Sequence, residues 1–201
     1  MYIHSRSVAE KVFDVWRSPG RFTKNPDIIR LESGRLLLVY SDTESHWGES
    51  TQTLTILYSD DDGNTWDRLS EVASADRSRG DERLVTPRIS LLSDGRIAVI
   101  CDHDDFSHFH EDQPPGNWIW WSFDEGTTWD GPHKPDIGGF EPDRITELPD
   151  GRLAVSAHIM LRESQEFAVI MTLSADGGQS WGNRVIVAHD GYHQFCEGAI
   201  I

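Results

Sequence analysis

The chain has 201 residues, of which 37% are hydrophobic, 10% aromatic and 26% charged; this suits one soluble domain with a sizeable core and excludes a collagenous or wholly disordered chain. Its 18 basic and 34 acidic residues leave a formal net charge of −16, which lacks the basic stripe that nucleic acid requires, and no apolar run approaches the length of a membrane span. Cys101 and Cys196 are the two cysteines, too few for a disulfide framework or a zinc cluster, and no cofactor motif is present.

In chain order, the N-terminus MYIHSRSVAEKVFDVW is polar and lacks the apolar core of a secretory signal, so a cytoplasmic location is the default expectation. Val8, Val12, Phe13 and Trp16 suit either a short helix or a strand or cap. Three segments then repeat in phase: NPDIIRLESGRLLLVYSD at 25–42, TPRISLLSDGRIAVICDH at 86–103 and EPDRITELPDGRLAVSAH at 141–158. Each is an apolar run, a turn and a second apolar run, with Gly34, Gly95 and Gly151 where a tight hairpin needs positive φ. A further β-rich segment follows each hairpin: TQTLTILYS, GNWIWWS and EFAVIMTLS. Next comes an eight-residue turn, SDDDGNTW at 59–66, SFDEGTTW at 122–129 and SADGGQSW at 174–181. Shorter strands such as NRVIVA at 183–188 lie beyond, giving four strands per unit.

Four-stranded units of this size repeated in order, each with a Trp, are the sequence form of propeller blades, so the fold class is all-β. The blades run approximately over 22–75, 80–136 and 138–190, with the first strand of a fourth at 194–201. In the turns, the Asp side chains of Asp61, Asp124 and Asp176 accept hydrogen bonds from their own backbone, which makes them structural rather than metal ligands.

The S-x-D-x-G-x-[ST]-W turns resemble the Asp-box (BNR) repeats of the sialidase superfamily, and the resemblance extends from about Lys24 to the last residue. It implies a six-bladed β-propeller, of which this chain supplies about three blades and the first strand of a fourth, and a glycosidase or a carbohydrate-binding propeller. Closure then requires a C-terminal half or self-association. Where the family begins its carboxylate clamp with Arg-Ile-Pro, this sequence has Lys24-Asn25-Pro26. A lysine lacks the bidentate fork, and this argues against a sialic-acid substrate. The acid/base carboxylate of the family falls by position in HWGES 46–50, where Glu49 is nearest, with Asp42 and Glu44 as weaker alternatives. Glu197 in CEGAII matches the family's Glu that polarises its nucleophile.

Several other residues are candidates from the residues themselves. Trp47 beside Glu49 suits stacking on a sugar face or a contact within a lid. Asn25, Thr86, Glu141 and Glu197 precede the aligned Pro or Gly and occupy comparable places in successive blades, so Glu141 and Glu197 offer two carboxylates to one ligand, or hold strand ends. His103, with His108 and His110, lies in the long connection 101–117 among Asp104, Asp105, Glu111 and Asp112, which suits a divalent-metal site, a proton-transfer group or a solvated loop; its spacing matches no zinc signature, and His103 is a candidate substrate contact. Catalytic candidates are therefore Glu49 and Glu197, and binding candidates Lys24, Trp47, Glu141 and His103, with a carbohydrate as the ligand.

Overall fold

A computed structural model describes residues 14–46, 50–104 and 116–200. Three four-stranded antiparallel sheets follow one another along the chain, and the described residues contain no α-helix, only a single 3₁₀ turn at Arg77–Arg79. The first sheet joins β1 (Phe22–Arg30), β2 (Leu36–Thr43), β3 (Thr51–Ser59) and β4 (Asp67–Asp76) in that order. The second joins β5 (Arg83–Leu91), β6 (Ile97–Asp104), β7 (Gly116–Ser122) and β8 (Asp130–His133). The third joins β9 (Thr146–Glu147), β10 (Leu153–Met160), β11 (Phe167–Ser174) and β12 (Gly182–Ala188). Four strands per unit is therefore the observed arrangement. The predicted first hairpin strand of the third unit is shorter than its sequence suggests: Phe140 bridges His158, Asp143 N donates to Ser156 O at 2.9 Å, and a regular ladder begins only at β9. Residues 7–13 of the ambiguous N-terminal stretch lie outside the described residues.

Alternation explains why the sheets stack. Leu37 and Val39 on β2, Leu54 and Ile56 on β3 and Val72 on β4 share one face of the first sheet. They meet Leu84 and Ile89 on β5, Ile97, Val99 and Cys101 on β6 and Trp120 on β7 in one buried cluster. A second cluster, Ala98, Ile100, Ile119 and Trp121 against Ile137, Ile145, Leu153 and Val155, joins the second sheet to the third. Inter-sheet burial at roughly 25 cal/mol per Å² of apolar surface is thus the main source of cohesion.

The repeated turn is one hydrogen-bonded device built three times. In the second sheet, Asp124 accepts from Ser122 Oγ at 2.9 Å, from Thr128 N at 2.8 Å and from Thr128 Oγ1 at 2.7 Å, while Gly126 N donates to Ser122 Oγ at 2.9 Å. Asp61 and Asp176 repeat the pattern with Thr65 and Ser180. These bonds hold all three Asp carboxyls below the usual range, Asp176 at about 2. The structural role expected of these aspartates is what the bonding describes. The tryptophans close the turns: Trp66 Nε1 donates to Gly63 O at 3.0 Å and Trp181 Nε1 to Gly178 O at 3.2 Å, whereas Trp129 Nε1 reaches Ser70 Oγ of the neighbouring sheet at 3.1 Å.

Candidate functional site

The aligned residues Asn25, Thr86, Glu141 and Glu197 share one unusual backbone conformation, with φ of 51°, 53°, 50° and 52°. Non-glycine residues rarely occupy this left-handed region, and four such values at one repeat position mark an imposed geometry. In the first two sheets it coincides with a bulge: the β1 to β2 register breaks between Lys24 and Asp27, and the β5 to β6 register between Val85 and Arg88. Bulges re-aim side chains, so each sheet presents one residue out of the ladder at this point.

One further repeat position holds this kink in two of its three copies. Ser41, Asp102 and His158 each lie seven residues beyond the hairpin glycines Gly34, Gly95 and Gly151. Buried Asp102 accepts from Glu141 N at 2.7 Å, and its other oxygen accepts from Asn117 Nδ2 at 2.9 Å. His158 Nδ1 likewise accepts from Glu197 N at 3.4 Å. At the shorter Ser41, Oγ has no hydrogen-bond partner among the described residues. The position one residue past the aligned Pro or Gly also reaches across sheets. Asp27 accepts from Ile89 N at 2.9 Å and from Arg144 Nε at 2.9 Å, and Asp143 accepts from Ile200 N at 3.3 Å.

Glu141 and Glu197 come together. Burial is the first cause that raises the Glu141 carboxyl above the ordinary range, and the charge of Glu197 is the second, with Arg88 partly opposing both. The Glu141 side chain nevertheless remains 39% exposed, so it is reachable from solvent, and His158 Nε2 lies 3.7 Å from its Oε2. A half-buried carboxyl whose pKa is raised, set beside a second carboxylate, forms with it a donor and acceptor pair in the sense of general acid and base chemistry.

The other candidates lie elsewhere or outside the described residues. Trp47 and Glu49 fall in the undescribed 47–49, and His108 and His110 in 105–115. Asp42 and Glu44, the alternatives to Glu49, are engaged by Arg21: Asp42 is bonded to its Nε, and Glu44 lies 3.7 Å from its Nη1. Glu44 also accepts from Thr51 Oγ1 at 3.0 Å. Lys24 donates to His46 O at 2.5 Å and borders a cleft of about 290 Å³ lined by Trp16, Pro26, Leu38 and Tyr40. Burial and the nearby Arg83 lower its pKa. His103 is bonded to Glu82 and stacks on Trp118 at 4.2 Å between ring centroids, while Lys134 Nζ lies 4.2 Å from the same indole. Among the described residues, no group of three or more His, Cys, Asp or Glu side chains is placed to hold a metal ion. Asp102, His158 and Arg88 were not singled out by the sequence; aligning the three hairpins on their glycines would have put the first two at one position.

Several solved structures share the fold. The GH93 α-L-arabinofuranosidase of Fusarium graminearum, solved with arabinobiose, superposes with a TM-score of 0.63 at 14% identity, covering 89% of this chain and 52% of that one. The α-L-arabinanase of Penicillium chrysogenum, also with arabinobiose, gives 0.56 at 20% identity, covering 76% and 46%. The Hadza microbial sialidase Hz136 gives 0.52 at 18% identity, covering 81% and 33%. The chain thus spans about half or less of the length of these structures. No protein of curated function matches it by sequence. The model of the family described as "BNR repeat-like domain" matches residues 4–190, nearly the whole chain, and the protein belongs to that family.

Proposed function

We propose that this chain is part of a glycoside hydrolase-like propeller that acts on a terminal sugar of a glycan, with Glu141 and Glu197 as its reactive carboxylates. The observation that carries the reading is their placement. They occupy the same left-handed position in successive repeats, close enough for the charge of Glu197 to raise the Glu141 carboxyl. Glycoside hydrolysis needs one carboxyl that donates a proton to the leaving oxygen and a second that stays ionised to activate water or stabilise the positive anomeric carbon. In this reading Glu141 is the proton donor and Glu197 the second carboxylate. Glu49, in the sequence segment 46–50, is a third carboxylate to be tested beside them.

The substrate class follows from charge. Lys24 in place of a clamp arginine and a net charge of −16 favour a neutral or weakly charged glycoside over a strongly anionic one. The fold relatives solved with arabinobiose support a sugar ligand.

Ring closure by further blades, six in all, belongs to the same reading. Val187 on β12 is 51% exposed, whereas Val72, at the same distance beyond its turn tryptophan, is 8% exposed beneath the second sheet. A further blade, from more chain or from a second copy, would cover that edge.

A panel of chromogenic glycosides assayed on the protein and its E141Q, E197Q and E49Q variants tests the proposal. Turnover of neutral glycosides that falls at least about a hundredfold in E141Q and E197Q is expected, in line with the usual contribution of a general acid or base. Cleavage of sialosides alone would refute the substrate class. A silent panel with retained sugar binding would leave a non-catalytic carbohydrate-binding propeller.

A further inference from the structure

His158 sits on β10 with only 3% of its side chain exposed. Phe140 lies 3.9 Å away between ring centroids and Phe167 5.4 Å, in tilted and edge-on contact. The two phenyl rings fix the imidazole plane and keep water from it. Burial lowers the His158 pKa to about 4, so the ring is neutral at neutral pH and carries one N–H. Which nitrogen carries it follows from hydrogen bonding. Nδ1 accepts from Glu197 N at 3.4 Å, which requires a free lone pair there and puts the proton on Nε2. Nε2 is the atom that faces Glu141 Oε2 at 3.7 Å, a separation that a small rotation of the carboxyl closes to a hydrogen bond.

One buried ring therefore touches the backbone of one glutamate and the carboxyl of the other. The charged and titratable groups around it are Glu141 and Glu197, with Arg88 acting on Glu141 and Asp102 on the Glu141 backbone. Asp102, at the position that corresponds to His158 in the preceding repeat, is an acceptor only. His158 adds a donor that Asp102 lacks.

We propose that His158 is the positioning residue of the Glu141 and Glu197 pair: its Nδ1 holds the Glu197 backbone in the left-handed kink, and its Nε2–H favours the ionised form of Glu141. Burial and the Glu197 charge push Glu141 toward its protonated form, so the imidazole opposes them and keeps the carboxyl able to release its proton. The proposal deepens the reading of these two glutamates as the reactive site, but it can be tested without substrate.

The two ring nitrogens can be separated by amides. In H158N the side-chain carbonyl can stand where Nδ1 is, with nothing at Nε2; in H158Q the amide nitrogen can stand where Nε2 is, with nothing at Nδ1. Nitrogen NMR of the wild-type ring should show the neutral Nε2–H form between pH 6 and 8. Carboxyl-carbon titration should show the Glu141 midpoint move up in H158N and stay in place in H158Q. Exchange of the Glu197 amide should do the reverse, rising about tenfold in H158Q, the equivalent of one lost hydrogen bond of ~1.4 kcal/mol. An Nδ1–H tautomer or a charged ring at pH 7 in the wild type overturns the proposal, and this measurement stands even if neither variant folds. Equal displacement of the Glu141 midpoint in both variants also overturns it, since a loss of packing would act that way. A silent glycoside panel with the expected titrations refutes the hydrolase reading and leaves the positioning role. Active enzyme with the opposite tautomer refutes the positioning role alone.

Discussion

Removing the Asp27 carboxylate should unfasten three sheets at once. Its side chain is 11% exposed and accepts from Ile89 N of the second sheet at 2.9 Å and from Arg144 Nε at 2.9 Å, just ahead of the third. It also accepts from its own neighbour, Ile28 N, at 3.0 Å. In D27A the Ile89 N–H loses its side-chain acceptor, and the Arg144 guanidinium loses its carboxylate and keeps the Ile28 carbonyl at 2.9 Å. Breaking a buried ion pair from one side costs about 3–5 kcal/mol. The Arg144 side chain is 44% exposed and recovers part of its hydration, which brings the expected loss to roughly 2–4 kcal/mol. For a chain of this size that corresponds to a fall in Tm of roughly 5–12 °C. D27N keeps an uncharged acceptor and should lose about half as much. Thermal unfolding of D27A, R144A and the double variant measures the coupling, which should exceed ~1 kcal/mol because the two residues share one interaction. A D27A melting point within a degree of wild type, or strictly additive losses in the double variant, would refute this account of how the sheets are tied.

Three other outcomes are expected. D124A removes three turn hydrogen bonds from an exposed carboxylate and should lower stability by ~1–2 kcal/mol in urea unfolding, with any glycoside turnover unchanged at permissive temperature. G178A should cost more, about 2–3 kcal/mol, because Gly178 has φ of +92° and an added Cβ would lie 2.7 Å from the Trp121 ring; a thermal shift no larger than that of D124A would contradict this. Stability should also depend on His158. Its folded pKa of about 4 lies below the ordinary 6.5, so its contribution is fully present above pH 6.5 and is lost as pH falls from there to about 4, by at most about 3 kcal/mol. The raised Glu141 carboxyl acts with the opposite sign, because a group whose pKa is higher in the fold than in the unfolded chain loses its contribution as pH rises. Urea midpoints between pH 4.5 and 7.5 should therefore fall toward acid in the wild type and fall less in H158N; parallel curves would count against the assignment.

Much of the fold was legible because its signals are local. Ser, Asp, Gly, Thr or Ser, and Trp within eight residues make the turn hydrogen bonds among themselves, so the motif carries its own geometry wherever it occurs. The hairpin glycines are local in the same way, with φ of 92°, 84° and 83° at Gly34, Gly95 and Gly151. The interrupted third hairpin was not legible, because Phe140 and His158 pair as an isolated bridge before the regular ladder begins at β9. In the site, repeat phase identified Asn25, Thr86, Glu141 and Glu197 as equivalent, but nothing in Thr or Glu announces a left-handed backbone. Asp102 and His158 were missed for a related reason. Each acts on a backbone N–H 39 residues away, in the next repeat, and Ser, Asp and His at one position make no motif.

That last pattern also says how a site can arise on a repeat. The left-handed kink is a backbone property, with φ the same within a few degrees in all four copies, and it is indifferent to whether the side chain is Asn, Thr or Glu. The residue at the position behind the kink varies too: Asp102 and His158 accept from the kinked N–H, whereas Ser41 Oγ has no hydrogen-bond partner among the described residues. Backbone geometry is thus fixed by the architecture, while two side-chain positions per repeat are free to carry chemistry. Carboxylates occupy the first of these positions in two consecutive repeats, and the capping position between them holds a histidine rather than another carboxylate. A second Asp there would have added a third negative charge to the pair and driven Glu141 further toward its neutral form. A neutral imidazole supplies the acceptor that the kink needs without that charge, and leaves its other nitrogen as a donor. The prediction that follows is specific: H158D should keep the Glu197 amide protected, as Asp102 does for Glu141, yet raise the Glu141 midpoint beyond that of H158N. A midpoint in H158D at or below that of H158N would show that charge at this position does not govern the pair.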